Sequence, residues 1–387
     1  MTAPEPINEP AAPPVPGWKR RLILRSARVE NAFDRLVFDL KRRTHLLSPL
    51  EVHAYRGHGT TTTVWARARV MERTGSVKAN ATHTSLQNLR NMARRFLSPE
   101  IPRARAVARF HGAELETIAD EEGFLQVELH LPEPLPARTA WHNLDWELTW
   151  PVLKRYGPAR GTARVLVVGE ADFAVISDLD DTVIQSGVTR LGTMLRIALL
   201  SNAYTRLPFE GVAAFYRALQ RGPDGRGWNP IFYVSAGPWN LADMLEDFMD
   251  HNGVPRGPLF LRDWSPLTLK GRTKRHKLAV IRQLITAYPE LPFVLIGDSG
   301  EHDPEIYAEA VREHPGRIKA IYIRDVTTGS RRTAEVVAMA RELAGLGTEM
   351  VVSSDTAAAA AHARESGLIA PQQAEATADE AEAASRD

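Results

Sequence analysis

Five short apolar runs, each closing on a small or acidic polar residue, constrain this chain more than any other feature of its sequence. They are FAVISD, ending at Asp178; IFYVS, ending at Ser235; PLFLRD, ending at Asp263; FVLIGD, ending at Asp298; and AIYIRD, ending at Asp325. A strand covered on both faces reads as a continuous apolar run rather than an alternation, and parallel sheets are covered on both faces. The run ends lie 57, 28, 35 and 27 residues apart. A strand–helix–strand crossover with its loops takes about 30 residues, so three intervals hold one helix each and the first has about 27 to spare. The stretches 241–249, 277–285 and 305–313 carry the helical spacing for these crossovers. The expectation is an α/β domain over 169–370 built on a doubly wound parallel sheet. A strand at Met350–Val352 and a helix at Thr356–Arg364, with Asp355 as its cap, would close it.

Upstream the rhythm changes to period two. Thr60–Val70, Arg103–Phe110, Gly123–Leu131, Trp146–Trp150 and Ala163–Val168 alternate or are β-branched, with Gly and Pro between them. Short strands at this spacing predict a small antiparallel β-sandwich over 46–168, interrupted by one helical insertion at Ser85–Leu97. His53, His58, His83 and His111 share no metal-ligand spacing in this region and are expected on surfaces or in loops. Residues 18–45 have apolar positions at near-helical spacing behind a basic start, Lys19 to Arg28, and predict an amphipathic helix. Such a helix attaches to an anionic membrane surface or packs on the neighbouring domain. The first 17 residues, rich in Pro and Ala, and residues 371–387, rich in Ala, Glu and Gln, are expected as disordered tails.

Composition narrows the chemistry. The 48 Lys and Arg nearly cancel the 47 Asp and Glu, and a net charge of +1 provides no global field for nucleic acid. Without cysteine there is no thiol nucleophile, disulfide or Cys-ligated zinc. No stretch approaches the roughly 20 apolar residues of a membrane span, and the N-terminus lacks a basic-then-apolar leader. The expected location is cytoplasmic, with peripheral membrane contact open.

In an open parallel sheet, ligands sit beyond the carboxyl ends of the strands, so the residues ending the runs are the candidate site. Asp178 and Asp180, at i and i+2, point the same way on an extended chain. Clustered carboxylates repel unless a cation or shared proton relieves them. Asp298 and Asp303 bring the number that can converge to four, an oxygen-only set that favours Mg2+. Ser235 offers a hydroxyl and Lys277, in TKRHKL at a helix start, an ammonium. A phosphoryl group needs such donors around its oxygens, and the combination implies phosphoryl transfer.

DLDDT (178–182), the run ending at Ser235, Lys277 and GDSGEHD (297–303) come in the order of the four motifs of the haloacid-dehalogenase-like phosphatase superfamily, which this sequence resembles. More narrowly, VISDLDDTVIQSGVT, YVSAGPWN, GPLFLRDW, HKL and FVLIGDSGEHDPEIYAE resemble the phosphatidate phosphatase family of the yeast actin-patch protein, over roughly 165–330. The resemblance implies that Asp178 attacks phosphorus to form an aspartyl-phosphate. Asp180 then serves as acid and base. Ser235 and Lys277 hold the phosphoryl oxygens, Thr182 orders the turn, and Mg2+ rests on Asp178, the Asp180 carbonyl, Asp298 and Asp303. It also implies a haloacid-dehalogenase-like sheet with a small cap, here about 188–209, after the β-sandwich. Lys274 competes for the lysine role. Asp181 and His302 are expected outside the chemistry, and Asp263 and Asp325 in structural contacts.

The cap segment VTRLGTMLRIALLSNAYTRLPF mixes apolar and basic residues, which suits an amphiphilic phosphate or a helix packed on the core. The basic run 269–277 could face anionic lipid, or nucleic acid, or simply solvent; it lacks the interleaved aromatics of single-strand binders. Three functions follow. The first is a Mg2+-dependent phosphatidate phosphatase, yielding diacylglycerol and phosphate. The second is the same chemistry on a soluble phosphomonoester, and the third a lipid- or protein-binding module with an idle catalytic domain.

Overall fold

The computed structural model describes residues 48–73, 100–179, 211–262, 273–300, 302–325 and 331–384. Asp180, Asp181, Thr182, Asp263, the 18–45 helix, the Ser85–Leu97 insertion and the 188–209 cap lie outside these residues.

The first part of the described chain forms strands β1 (Leu50–Ala54), β2 (Gly57–Gly59), β3 (Thr63–Glu72), β4 (Arg105–Phe110), β5 (Ala113–Ile118), β6 (Phe124–His130), β7 (Ala140–Trp150) and β8 (Arg160–Val167). They hydrogen-bond in the order β1-β3-β2-β8-β7-β4-β5, with β6 joined to β3. Alternation drives them: in β3, Val64, Ala66, Ala68 and Val70 turn inward, as a period of two dictates. β2 and β8 run parallel, Gly57 facing Val165 and Gly59 facing Val167. A Cβ on Gly57 would stand 2.6 Å from the Trp65 carbonyl oxygen and one on Gly59 2.5 Å from the Val64 side chain, so glycine permits this close three-strand contact.

The second part forms β9 (Ala174–Asp178), β10 (Ile231–Pro238), β11 (Leu259–Arg262), β12 (Phe293–Asp298), β13 (Ile318–Arg324) and β14 (Glu349–Ser353). These make a separate six-stranded sheet in the order β11-β10-β9-β12-β13-β14, parallel at every pairing. The fold expectation is corrected here. An antiparallel sandwich ahead of a haloacid-dehalogenase-like sheet is not the observed architecture: the first sheet is one mixed, branched eight-stranded sheet, and the second is a separate all-parallel sheet.

Helices cover both faces of the parallel sheet. Val175, Tyr233, Val294 and Tyr322 point toward α1 (Val212–Arg221), α2 (Ala242–His251), α6 (Thr356–Glu365) and α7 (Pro371–Ala384). Their neighbours Ile176, Phe232, Leu295 and Ile321 point toward α3 (Thr273–Ala287), α4 (Asp303–Glu313) and α5 (Arg331–Ala344). Burying each such side chain contributes about 1.5–3 kcal/mol. Asp355 caps α6, its carboxylate accepting from the Ala357 amide at 2.8 Å. Residues 371–384, expected as part of a disordered tail, form α7, which packs through Ala374, Thr377 and Ala381.

The two sheets share cores. Tyr55 and Phe124 join the cluster of α1 and α2, and Leu166 and Val168 join that of α3 and α4. His58, expected on a surface or in a loop, is buried at this junction. It stacks on Trp65 at 5.1 Å, lies 5.8 Å from Phe232, and pairs through Nδ1 with the Tyr288 hydroxyl at 2.9 Å. Burial lowers its pKa to about 3, so it stays neutral. His53 is paired instead with Asp243 at 2.9 Å, and His111, exposed, with His142 at 2.9 Å.

Candidate active site

Three adjacent strands of the parallel sheet end together. Val234 lies beside Asp178 across β10 and β9, and Ile296 beside Ser177 across β12 and β9. This register sets Ser235, Asp178 and Asp298 along one edge. Asp178, Asp298 and Asp303 are all buried, and one carboxylate oxygen of each lies within 4.8 Å of the others.

Lys277, in the second turn of α3, enters this cluster. Its Nζ stands 2.7 Å from Asp178 Oδ1 and donates to Asp303 Oδ1 at 2.8 Å. All three side chains are at most 2% exposed. Asp303, at the first turn of α4, also accepts from the Asp298 amide at 3.3 Å. Gly297 permits this approach: a Cβ there would sit 2.3 Å from Asp303 Oδ2. Asp298 Oδ1 accepts from the Gly300 amide at 2.6 Å, and Ser235 Oγ from the Gly237 amide at 2.9 Å.

Around these groups lies a supporting layer that sequence reasoning did not single out. The Ser177 hydroxyl lies 2.6 Å from that of Tyr216 and donates to the Asp178 carbonyl at 3.0 Å. Burial pushes the Tyr216 hydroxyl up to about 12. The Tyr307 hydroxyl donates to the Ile296 carbonyl at 2.8 Å. Burial, then the Asp303 and Asp178 charges, hold it well above the usual tyrosine value, so it remains a neutral donor. Ser177 adjoins Asp178 in VISD, a signal visible in the sequence; the two tyrosines are brought in by tertiary packing alone.

The end of β10, which carries Ser235, is held from the first sheet. It leads into a single 3-10 turn at Trp239–Leu241. Trp239 packs on Tyr55 at 4.5 Å and under the Arg67 guanidinium at 4.8 Å. Arg69, buried, donates to Asn240 Oδ1 at 2.6 Å and to the Glu122 carbonyl at 2.9 Å, and is paired with Glu100.

The remaining candidates lie apart. Asp325 accepts from the Ser299 hydroxyl at 3.0 Å and the Thr333 hydroxyl at 3.1 Å, a structural tie between β13 and α5. His302 is exposed just ahead of α4. Lys274 lies three residues before Lys277 in α3; its side chain is outside the described set.

Three carboxylates against one ammonium leave two formal negative charges in a dry site. A donor set of oxygens alone, converging within 4.8 Å, fits a hard divalent cation. The triad could therefore hold a metal.

Residues 173–325 match the family model described as "Phosphatidate phosphatase APP1, catalytic domain". That segment is close to the APP1 phosphatidate phosphatase family. The phosphatidate phosphatase APP1 of Saccharomyces cerevisiae is 31% identical over 186 residues, covering 47% of this chain and 31% of that protein. An uncharacterised protein of Schizosaccharomyces pombe is 31% identical over 175 residues, covering 42% of this chain and 27% of its own length. The chain thus spans about a third of the length of these relatives or less. Among solved structures, a carbohydrate acetylesterase from Xanthomonas citri aligns over 78% of this chain and 66% of its own at 12% identity, with a TM-score of only 0.26.

Proposed function

We propose that the chain is a Mg2+-dependent phosphatidate phosphatase that hydrolyses phosphatidate, or a related lipid phosphate, to diacylglycerol and phosphate. The observation that carries this reading is the buried constellation of Asp178, Asp298, Asp303 and Lys277 at the strand ends, inside the segment that matches the catalytic domain. The yeast relative's name supplies the substrate.

In the first half-reaction an Asp178 carboxylate oxygen attacks phosphorus and the bond to the lipid oxygen breaks. The departing alkoxide takes its proton from Asp180, leaving diacylglycerol and an aspartyl-phosphate. In the second, water attacks the same phosphorus, Asp180 accepts its proton, and the Asp178 carboxylate is released with phosphate. The Lys277 ammonium, 2.7 Å from Asp178, offsets charge on the nucleophile and on the phosphoryl oxygens. The Ser235 hydroxyl accepts from the Gly237 amide, which fixes its oxygen at the strand end where a phosphoryl group would lie. Thr182 orders the turn after the strand, and Tyr216 and Ser177 fix the backbone beneath the nucleophile. Mg2+, held by Asp178, Asp298 and Asp303 with the Asp180 carbonyl, would neutralise charge on the transferring phosphoryl group.

Neutralisation by a preorganised, dry site is the largest catalytic effect available to phosphoryl transfer. Among the described residues no helix is long and apolar enough to cross a membrane. The test is phosphate release from phosphatidate in mixed micelles, with Mg2+ and with EDTA, for the wild type and Asp178→Asn. Release that needs the metal and disappears in the variant supports the proposal. Asp178-dependent release from soluble phosphomonoesters alone would keep the chemistry and remove the lipid. Binding of lipid without turnover of any phosphoester would overturn both.

A further inference from the structure

Seven large apolar side chains are exposed among the described residues, and four of them, Ile118, Trp150, Val152 and Tyr156, belong to one end of the first sheet. Trp150 closes β7 and Ile118 closes β5. Both pair with Arg105 at the start of β4, so the three side chains form a row on one face of the sheet. The hairpin from β7 to β8 continues this patch through Val152 and Tyr156. From Trp150 to Arg160 it contains Lys154, Arg155 and Arg160 and no acidic residue. All three cations are exposed, and the Arg155 guanidinium lies 5.4 Å from the centre of the Tyr156 ring. Glu147 of β7 is already paired with Arg160 at 3.2 Å and with Arg109 at 3.5 Å. Beneath the hairpin, Arg73 lines an open groove together with Arg160 and Glu51.

The hairpin satisfies much of its own backbone. The Tyr156 and Gly157 amides both donate to the Leu153 carbonyl at 2.9 Å, and the Leu148 amide donates to that of Ala159 at 2.8 Å. Gly157 closes the turn at a φ of 73°, which favours glycine. Internal pairing lowers the cost of taking such a tip out of water.

Its position links it to the candidate site. β8 starts at the hairpin, where Gly161 lies against the Val52 carbonyl with no room for a Cβ. The residue after Val52, His53, pairs with Asp243 in the first turn of α2, just beyond Ser235 and the end of β10. At the other end of β8, Val167 faces Gly59, whose carbonyl accepts from the Tyr288 hydroxyl at 3.3 Å. Tyr288 follows the last residue of α3, the helix that opens beside the carboxylates with Lys277 and closes at the far end of the parallel sheet. The hairpin therefore projects at the end of the molecule where the carboxylates lie.

We infer that this hairpin, with Ile118, Arg105 and Trp150 at its base, docks on an anionic lipid bilayer and turns the carboxylate end of the parallel sheet toward it. The surface itself carries the docking; the use made of it rests on the phosphatase reading above. Trp and Tyr rings are at home at the boundary of headgroups and acyl chains. Lys and Arg are drawn by the negative potential of the surface, and binding grows with the apolar area buried together with that attraction. A narrow tip ringed by cations offers a protein little area to pack against, whereas the headgroup layer admits such side chains singly.

The test uses vesicles of phosphatidylcholine with phosphatidylglycerol, which is anionic and carries no phosphomonoester. Each cation near such a surface contributes about fivefold to binding, so Lys154→Glu/Arg155→Glu should lower the vesicle partition coefficient at least about tenfold. Tyr156→Ser should lower it severalfold, and wild-type binding should weaken on neutral vesicles and in high salt. Because the chain contains no cysteine, Val152→Cys carries a single environment-sensitive fluorophore. Its emission should brighten and shift to the blue on anionic vesicles, while the same label at Leu346→Cys, exposed just before β14 at the opposite end of the sheet, should not respond. Turnover of phosphatidate held in these vesicles should fall with binding in the charge-reversed variant, and turnover of water-soluble dihexanoyl phosphatidate should stay unchanged. Wild type that does not bind anionic vesicles, equal binding by wild type and the charge-reversed variant, or a silent label at 152 on bound protein would overturn the inference. The vesicle measurements need no turnover, so absence of Asp178-dependent phosphate release would remove the phosphatase reading while the docking is still decided by the vesicles alone.

Discussion

Replacing Lys277 by methionine keeps the aliphatic stem and deletes a buried charge. The ammonium makes two charged contacts, 2.7 Å to Asp178 and 2.8 Å to Asp303, and lies with Asp298 in the same dry cluster. Removing one partner of a buried pair strands the other and costs about 3–5 kcal/mol. Here two carboxylates lose their cation while a third remains close, so the upper half of that range is expected in EDTA. A bound divalent ion compensates: a ligand at about 100 times its Kd stabilises by about 2.7 kcal/mol, and three uncompensated carboxylates should bind Mg2+ more tightly than the wild-type site. Urea unfolding with EDTA and with saturating Mg2+ tests both halves. Lys277→Met should lose several kcal/mol without metal and recover part of it with metal, while phosphatase activity is lost in both conditions. Lys277→Met/Asp303→Asn removes one charge of each sign and should be more stable in EDTA than the sum of the single losses, as expected for residues in direct contact. Wild-type stability of Lys277→Met in EDTA, or strict additivity in the double variant, would refute the picture of a charge-balanced buried cluster.

Three further outcomes follow from the same geometry. His58 has a folded pKa of about 3, below its unfolded value of 6.5, so the unfolded chain binds the extra proton first and stability falls with acidification from pH 6.5 downward. The loss between pH 7 and pH 5 should be about 2 kcal/mol, and His58→Phe should remove that slope from urea midpoints measured at the two pH values. Gly297→Ala puts a methyl 2.3 Å from Asp303 Oδ2 and should displace that carboxylate, weakening Mg2+ activation at least tenfold when activity is titrated against metal. Arg69→Met breaks the hold on Asn240, just past the end of β10 that carries Ser235, and should raise KM severalfold with a smaller change in kcat, because Ser235 is the proposed phosphate contact; Arg69→Lys should restore part of the effect.

The strand ends of the site were readable because a strand buried on both faces leaves an apolar run and then has to stop. Asp178, Ser235 and Asp298 sit where their runs end, and Lys277 and Asp303 fall in the opening turns of helices. The mixed first sheet was not readable in the same way. β5, AELETI, is exposed over most of its length, so no inward face marks it, and β2 is only GHG. Its parallel pairing with β8 depends on glycines that matter through a close approach visible only in three dimensions. α7 lacks the large apolar residues that mark a buried helix in a sequence; it packs instead through alanines, and Gly211 lets Ala381 come within 3.0 Å of the position a Cβ would take. Nothing local to His58 tells an aromatic-lined junction from a surface or a loop, so its burial is not legible in the sequence. Tyr216 and Tyr307 were missed for the same reason, since their site contacts come from residues 39 and 11 positions away.

The central claim is that the Asp178 carboxylate becomes phosphorylated during turnover. Wild-type protein quenched with acid during turnover of phosphatidate, then reduced with borohydride and digested, tests it directly, because reduction converts an aspartyl-phosphate to homoserine. The account predicts homoserine at position 178 and nowhere else, and none without substrate. Steady turnover with an unmodified aspartate at 178, or undiminished turnover by Asp178→Asn, would contradict it.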